Sequence, residues 1–173
     1  MSELIAIYNA DRERTGRTAE RYAELAPGEY RLIVHVCLFN SSNEMLIQKR
    51  SESKRLFPGC WDISAGGGVA SGESSRIAAE RETKEELGLD IDFSIHRPII
   101  SVGFAGGFDD FFTIETDVDL DGLTIQSNEV VDVMWADEGT VERLIDRGEF
   151  IAFDKVLIRY LFAAREGKGS WNL

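Results

Sequence analysis

The chain has 173 residues, 43% of them hydrophobic, and a formal net charge of −12; this suits one compact domain with a real core and opposes sequence-independent binding to nucleic acid polymers or anionic membranes. Its two cysteines, Cys37 and Cys60, form no CxxC and no disulfide framework. Met1-Ser2-Glu3-Leu4 does not open a basic-then-apolar leader, and no apolar run approaches a membrane span, so a cytoplasmic location is expected.

Glu3 to Tyr8 reads as a short strand. The charged stretch Asp11 to Glu24, closed by Pro27-Gly28, reads as a solvated hairpin or loop. Tyr30 to Asn40 is rich in Val, Ile, Leu and Phe and predicts a buried strand, returning through Ser41-Ser42-Asn43 into a second strand over Glu44 to Arg50. Pro58-Gly59 opens a loop into a short strand, Trp61 to Ser64, followed by Ala65 and the triple glycine Gly66-Gly67-Gly68. Ser74 to Leu87 contains no Gly or Pro and many good helix formers, and Gly88 stands at its end as a stop.

Ile91 to Phe104 and Phe108 to Thr116 read as strands around Gly106-Gly107, and Glu129 to Trp135 as a third, alternating one. Val141 to Arg147 predicts a short helix and Phe153 to Ala164 a final amphipathic one. Strands, one helix, more strands, then helices imply an α/β (α+β) class with a mixed sheet sandwiched between helices. Residues 1–173 read as a single domain, with an N-terminal strand and hairpin extension over about 1–29.

The chemistry concentrates on the predicted helix. Glu82, Glu85 and Glu86 fall at i, i+3 and i+4 and share one face. Like charges so spaced destabilise a helix unless water or a cation offsets them. Three glutamates alone more often mark a solvated face. Carboxylates are nevertheless the ligands hard cations prefer, and Mg²⁺ takes a few of them and leaves positions for water and phosphate oxygens. The glycine run allows backbone to approach metal or phosphate closely. Arg81 is placed to tie the approach to the helix through Glu73, eight residues before it, or through Glu85 at i+4.

The whole segment resembles the signature of the Nudix hydrolase family. Gly67, Glu73, Arg81, Glu82, Glu85, Glu86, Gly88 and Leu89 occupy eight of its nine specified positions. Thr83 departs from the aliphatic residue at the ninth, which concerns packing rather than carboxylates. The resemblance implies a mixed sheet between helices, a Mg²⁺ site (Mn²⁺ being possible), and hydrolysis of a nucleoside diphosphate joined to another group. It implies Glu85, Glu86 and the Gly66 carbonyl as metal ligands, and Glu82 as a ligand or as the base that activates water. Gly67, Glu73 and Arg81 would support the site. Metal ions would bridge the diphosphate oxygens and lower the pKa of the attacking water. Some relatives carry the base in a later loop; Glu129 is the candidate here and Glu115 its competitor. Lys49 and Arg50 leave their strand toward the box, where either could meet substrate phosphate.

A second resemblance, to isopentenyl diphosphate isomerase, rests on Leu38-Phe39-Asn40, Met45 to Arg50, Lys54, Phe57-Pro58-Gly59 and Trp61-Asp62. That enzyme's cysteine follows its tryptophan, whereas here Ile63-Ser64-Ala65-Gly66-Gly67 follows and Cys60 precedes. A non-catalytic ligand-sensing module is the third possibility, which the complete set of box glutamates opposes. A homodimer through the N-terminal strand and hairpin is a further expectation.

Overall fold

The apolar run predicted as a buried strand becomes the spine of the molecule. The computed structural model describes residues 4–165; Glu3, the first residue of the expected opening strand, lies outside them. A hairpin comes first, β1 (Leu4–Tyr8) against β2 (Arg14–Glu20), followed by the spine β3 (Arg31–Phe39), then β4 (Met45–Arg50), β5 (Trp61–Asp62) and β6 (Ala65–Gly68). Helix α1 (Ser75–Leu87) precedes β7 (Ile100–Phe104) and β8 (Gly107–Glu115), and β9 (Val130–Ala136), α2 (Glu138–Asp146) and α3 (Lys155–Ala163) complete the order.

The sheet is mixed. β3 runs parallel to β8 in nine-residue register and antiparallel to β6, while β4 takes β5 and β9 as antiparallel neighbours. One face packs Val34, Val36, Leu46 and Phe112 against Ala78, Ala79 and Leu87 of α1. The other packs Cys37, Phe39, Ile47 and Phe111 against Val141, Leu144, Ile158 and Leu161 of α2 and α3. The expected layering of a mixed sheet between helices is therefore present.

Several boundaries differ from the sequence reading. The charged stretch is half of a true hairpin: β2 is mostly exposed, while Ile5 to Tyr8 on β1 are buried. Of Ile91 to Phe104, only Ile100–Phe104 is strand. Pro98 has no N–H to donate and restricts Arg97 before it, so pairing begins after the proline. The triple glycine, for which no element was predicted, is part of the paired strand β6; a Cβ at Gly66 would come within 2.7 Å of the Val34 carbonyl oxygen. Strand pairing after the tryptophan stops at Asp62 rather than Ser64. The last two helices start at Glu138 and Lys155, because Asp137 and Asp154 cap them by accepting from Thr140 N and Val156 N.

β3 and β4 are hydrogen-bond neighbours only at Phe39 and Met45, and then diverge. Ser64, fully buried, closes the top of the split: its Oγ accepts from Leu38 N at 2.8 Å and donates to the Leu46 carbonyl. Ser64→Ala would strand one buried N–H and one buried carbonyl. The expected loss is about 2 kcal/mol, read as a fall in melting temperature of roughly 4–8 °C; an unchanged melting temperature would refute this role.

Candidate functional site

The helix that carries the acidic cluster forms for local reasons. Ser74 caps it by accepting from Ile77 N, and Gly88 ends it in the left-handed region at φ 73°, its N–H bonded to the Lys84 carbonyl. Ala78, Ala79, Thr83 and Leu87 pack inward. Thr83, at the position where the signature has an aliphatic residue, is buried with its hydroxyl donated to the Ala79 carbonyl at 2.7 Å, so no polar atom is left unpaired.

Arg81 organises the acids around it. Its Nε and Nη2 grip both oxygens of Glu73 at 2.8 and 3.0 Å, and Nη2 also donates to the Gly68 carbonyl at 3.0 Å. Its Nη1 donates to Glu82 at 2.8 Å and to Glu85 at 3.1 Å. Both pairings foreseen for this arginine, with Glu73 and with Glu85, are thus made at once. Burial alone would raise the Glu73 carboxyl, but hydrogen bonds from Arg81 and Ala70 N hold it below its ordinary value.

Glu82 and Glu86 are 4% and 2% exposed. Glu86 reaches into the split below Ser64, where Gln48 Nε2 on β4 donates to it at 2.8 Å and Gly66 N on β6 at 3.1 Å. Burial, with repulsion from Glu82, pushes its pKa up to about 8. Burial also raises Glu82, against the opposing charges of Arg81 and Arg21. Gly67 makes room for this arrangement: a Cβ there would stand 2.0 Å from Glu82 Oε1.

The donor set suits a divalent cation. Two buried carboxylates stand side by side, and Gln48 Oε1, on the amide that serves Glu86, is buried without a hydrogen-bond partner. That oxygen is one more hard ligand. As the side chains stand, no three Asp, Glu, His or Cys among the described residues converge on one point. Arg81 Nη1 stands between Glu82 and the half-exposed Glu85, bonded to both, where a cation would have to displace it. An ion pair as exposed as the one with Glu85 is worth about 0–1 kcal/mol, so giving it up costs little.

Two cavities flank the glycine strand. One of about 380 Å³ is lined by Glu73, Arg81, Glu82, Glu85, Gln126 and Glu129 together with Ala70 and Arg21. The other, about 500 Å³ and largely apolar, has Gly66, Gly67 and Gly68 in its wall with Tyr22, Phe57, Phe104 and Phe153. Glu86 lies behind Gly66 rather than in either wall. Glu129 is brought to the box glutamates and paired with Lys54. Its competitor Glu115 is half exposed beside Arg165, at 3.9 Å, and lines neither cavity.

Arg50 lines the apolar cavity, paired with Asp62 at 2.9 Å and donating to the Leu56 carbonyl. Lys49 does not join it: its ammonium lies over the Trp61 ring, 5.9 Å from the centroid, in a separate hollow with Glu52 and Cys60. Neighbouring strand residues face opposite ways, so only one of the two could reach the box. His35 is satisfied by Asp109 at 3.0 Å and stacked on Phe111, and it also lines the apolar cavity.

Sequence reasoning missed Gln126, Arg21 and Tyr22, and gave Gln48 no role of its own. Gln48 carried a usable signal, since its parity on β4 places it with Arg50 rather than Lys49. Arg21 and Tyr22 sat in a stretch that looked merely solvated.

The buried state of Glu86 fixes a pH dependence. Its carboxyl titrates at 4.5 when unfolded and about 8 when folded without metal. The folded chain therefore binds more protons than the unfolded one between those values, so this group's contribution to stability falls as pH rises through that window. In chelator, Glu86→Gln is expected to gain on the wild type by on the order of 2 kcal/mol from pH 5 to pH 9. Denaturant melts at both pH values check this; parallel pH profiles would contradict it.

Similarity to known proteins agrees with the geometry. A model of the NUDIX domain matches residues 29–161. A Listeria innocua protein named as an uncharacterized Nudix hydrolase is 48% identical over 147 residues, 85% of this chain and 87% of that one. An isopentenyl-diphosphate Delta-isomerase of Escherichia coli is 31% identical over 153 residues, 84% and 82% of the two chains. A crystal structure of a Deinococcus radiodurans protein superposes with a TM-score of 0.76 at 27% identity, covering 91% of this chain and 98% of that one. With the signature on a capped helix and these matches across most of its length, the chain belongs to the Nudix family and is a Nudix-type pyrophosphohydrolase.

Proposed function

We propose that the protein is a Mg²⁺-dependent hydrolase, with Mn²⁺ able to substitute, that cleaves the diphosphate linkage of a nucleoside diphosphate joined to another group. The observation that carries this reading is the pairing of two cavities across one glycine strand: a carboxylate-lined space beside an aromatic one. A diphosphate with a flat organic substituent has the matching two-part chemistry.

Glu82, Glu85, Glu86 and the Gly66 carbonyl would hold the ion. A divalent cation bound there would neutralise diphosphate oxygens and make a water more acidic. Glu82 or Glu129, both lining the carboxylate cavity, would take the proton from that water. Arg81 and Glu73 hold the helix to the glycine strand so that Glu82 stays aimed. Tyr22, Phe57, Phe104 and Phe153 would stack on the organic group while Asp109, held by His35, accepts a hydrogen bond from it. The substrate is a small molecule rather than a polymer, and a cytoplasmic location fits it.

Similarity to the isomerase raises a second reading, and the cysteines weigh against it. Cys37 is fully buried in the core, its thiol pushed up by burial, and Cys60 lies in the hollow with Lys49. Neither lines either cavity.

A panel of nucleoside diphosphate conjugates, with isopentenyl diphosphate included, tests the reading. Phosphate or nucleotide release that needs Mg²⁺ or Mn²⁺ is expected. Glu82→Gln and Glu86→Gln should each lower kcat by on the order of 100-fold or more. Gly67→Ala should also be impaired, because its methyl displaces Glu82. Isomerisation of isopentenyl diphosphate without hydrolysis of any conjugate would overturn the assignment.

A further inference from the structure

The family match begins at residue 29, yet side chains ahead of it enter both cavities. We propose that the N-terminal hairpin segment completes the active site: Arg21 binds the substrate's phosphates at the junction of the two cavities, and Arg31 positions it. This rests on the hydrolase reading of the same site.

Location is the first support. Of the described residues that line the two spaces, Arg21 alone is common to both. A diphosphate bridging the carboxylate cavity and the aromatic cavity must pass that junction. The side chain is near enough to Glu82 for its charge to oppose the effect of burial on that carboxyl.

Charge is the second. Glu73, Glu82, Glu85 and Glu129 share one cavity, and a diphosphate adds further negative charge to it. Divalent ions offset part of this on the glutamate side. A guanidinium on the substrate side offsets more, and its planar fork matches two phosphate oxygens at once.

The segment is also built to stay in place. Arg31, on β3, donates Nη1 to the Arg21 carbonyl at 2.9 Å and Nη2 to the Ala23 carbonyl at 2.7 Å. These bonds fix the backbone on both sides of Tyr22, whose ring lies 4.9 Å from the Arg55 guanidinium and lines the aromatic cavity. At the far end of the hairpin, Arg12 grips both oxygens of buried Asp110 at 2.8 and 2.9 Å. Asp110 accepts from Ser75 Oγ on α1 as well. The hairpin is thus fastened to the helix that carries the box glutamates. A solvated extension would need none of these contacts.

The test uses the full chain and two readouts. Binding of methylenediphosphonate with Mg²⁺ is measured by calorimetry, and KM and kcat are measured on whichever conjugate the wild type hydrolyses. Arg21→Ala is expected to weaken methylenediphosphonate binding and raise KM by at least ~10-fold. Arg21→Lys should recover part of both, and Mn²⁺ binding alone should be unchanged. Arg31→Gln should raise KM with a smaller change in kcat, because it loosens Arg21 without touching the glutamates. Methylenediphosphonate binding within twofold of wild type in a folded Arg21→Ala variant would overturn the proposal, as would no binding by the wild type. Hydrolysis of no conjugate would overturn the hydrolase reading alone, since the binding comparison would still decide the role of Arg21.

Discussion

The molecule depends on one separation, that of β3 from β4 after a single shared pair. A continuous sheet would have no space for a carboxylate between those strands. The split is instead filled in steps. The Ser64 hydroxyl spans its top, and below it Gln48 and the Gly66 amide meet on Glu86. A buried carboxylate is costly unless hydrogen-bonded and offset by charge. Two donors meet the first need, and Glu82 beside it worsens the second. The ionised form of Glu86 is therefore disfavoured: a proton offsets it below about pH 8, and a divalent cation bound there would take the proton's place.

The same constraint explains the glycines. β6 must pair with β3, leave space for Glu82, and turn an N–H toward Glu86. A side chain at Gly66 would strike the Val34 carbonyl, and one at Gly67 would occupy the position of Glu82. The glycines are thus demanded by close approach within a regular strand. Flexibility is not needed, since neither Gly66 nor Gly67 is among the positive-φ glycines.

That distinction shows where the sequence was legible. The helix from 75 to 87 with its Gly88 stop could be read directly, because propensity, capping and charge spacing agreed. The central strand was legible for the same reason. The glycine run was not assigned to a strand, because glycine is depleted from strands in general, and only the packing around Val34 and Glu82 reverses that preference. Lys49 and Arg50 could not be told apart by type, though strand parity separates them. Arg21 and Tyr22 were hidden more thoroughly: nothing in a run of mixed charges reveals that Arg31, ten residues on, will hold its backbone over a cavity.

The wall facing the box is fixed by the helix itself. An α-helix ends with carbonyls that lack partners. Here the loop before β9 supplies them: Gln126 N donates to the Glu86 carbonyl and Thr124 N to that of Leu87, both at 3.2 Å. The same loop then sets Gln126 and Glu129 opposite Glu82 and Glu85. Its far end is tied down as Ser51 N bonds the Glu129 carbonyl and Lys54 pairs with the Glu129 side chain. Both walls of the carboxylate cavity therefore hang from α1, one through side chains and the other through terminal carbonyls. A cavity so anchored has its box-facing walls set by one helix, whereas the aromatic side draws its residues from separate strands, loops and the N-terminal segment.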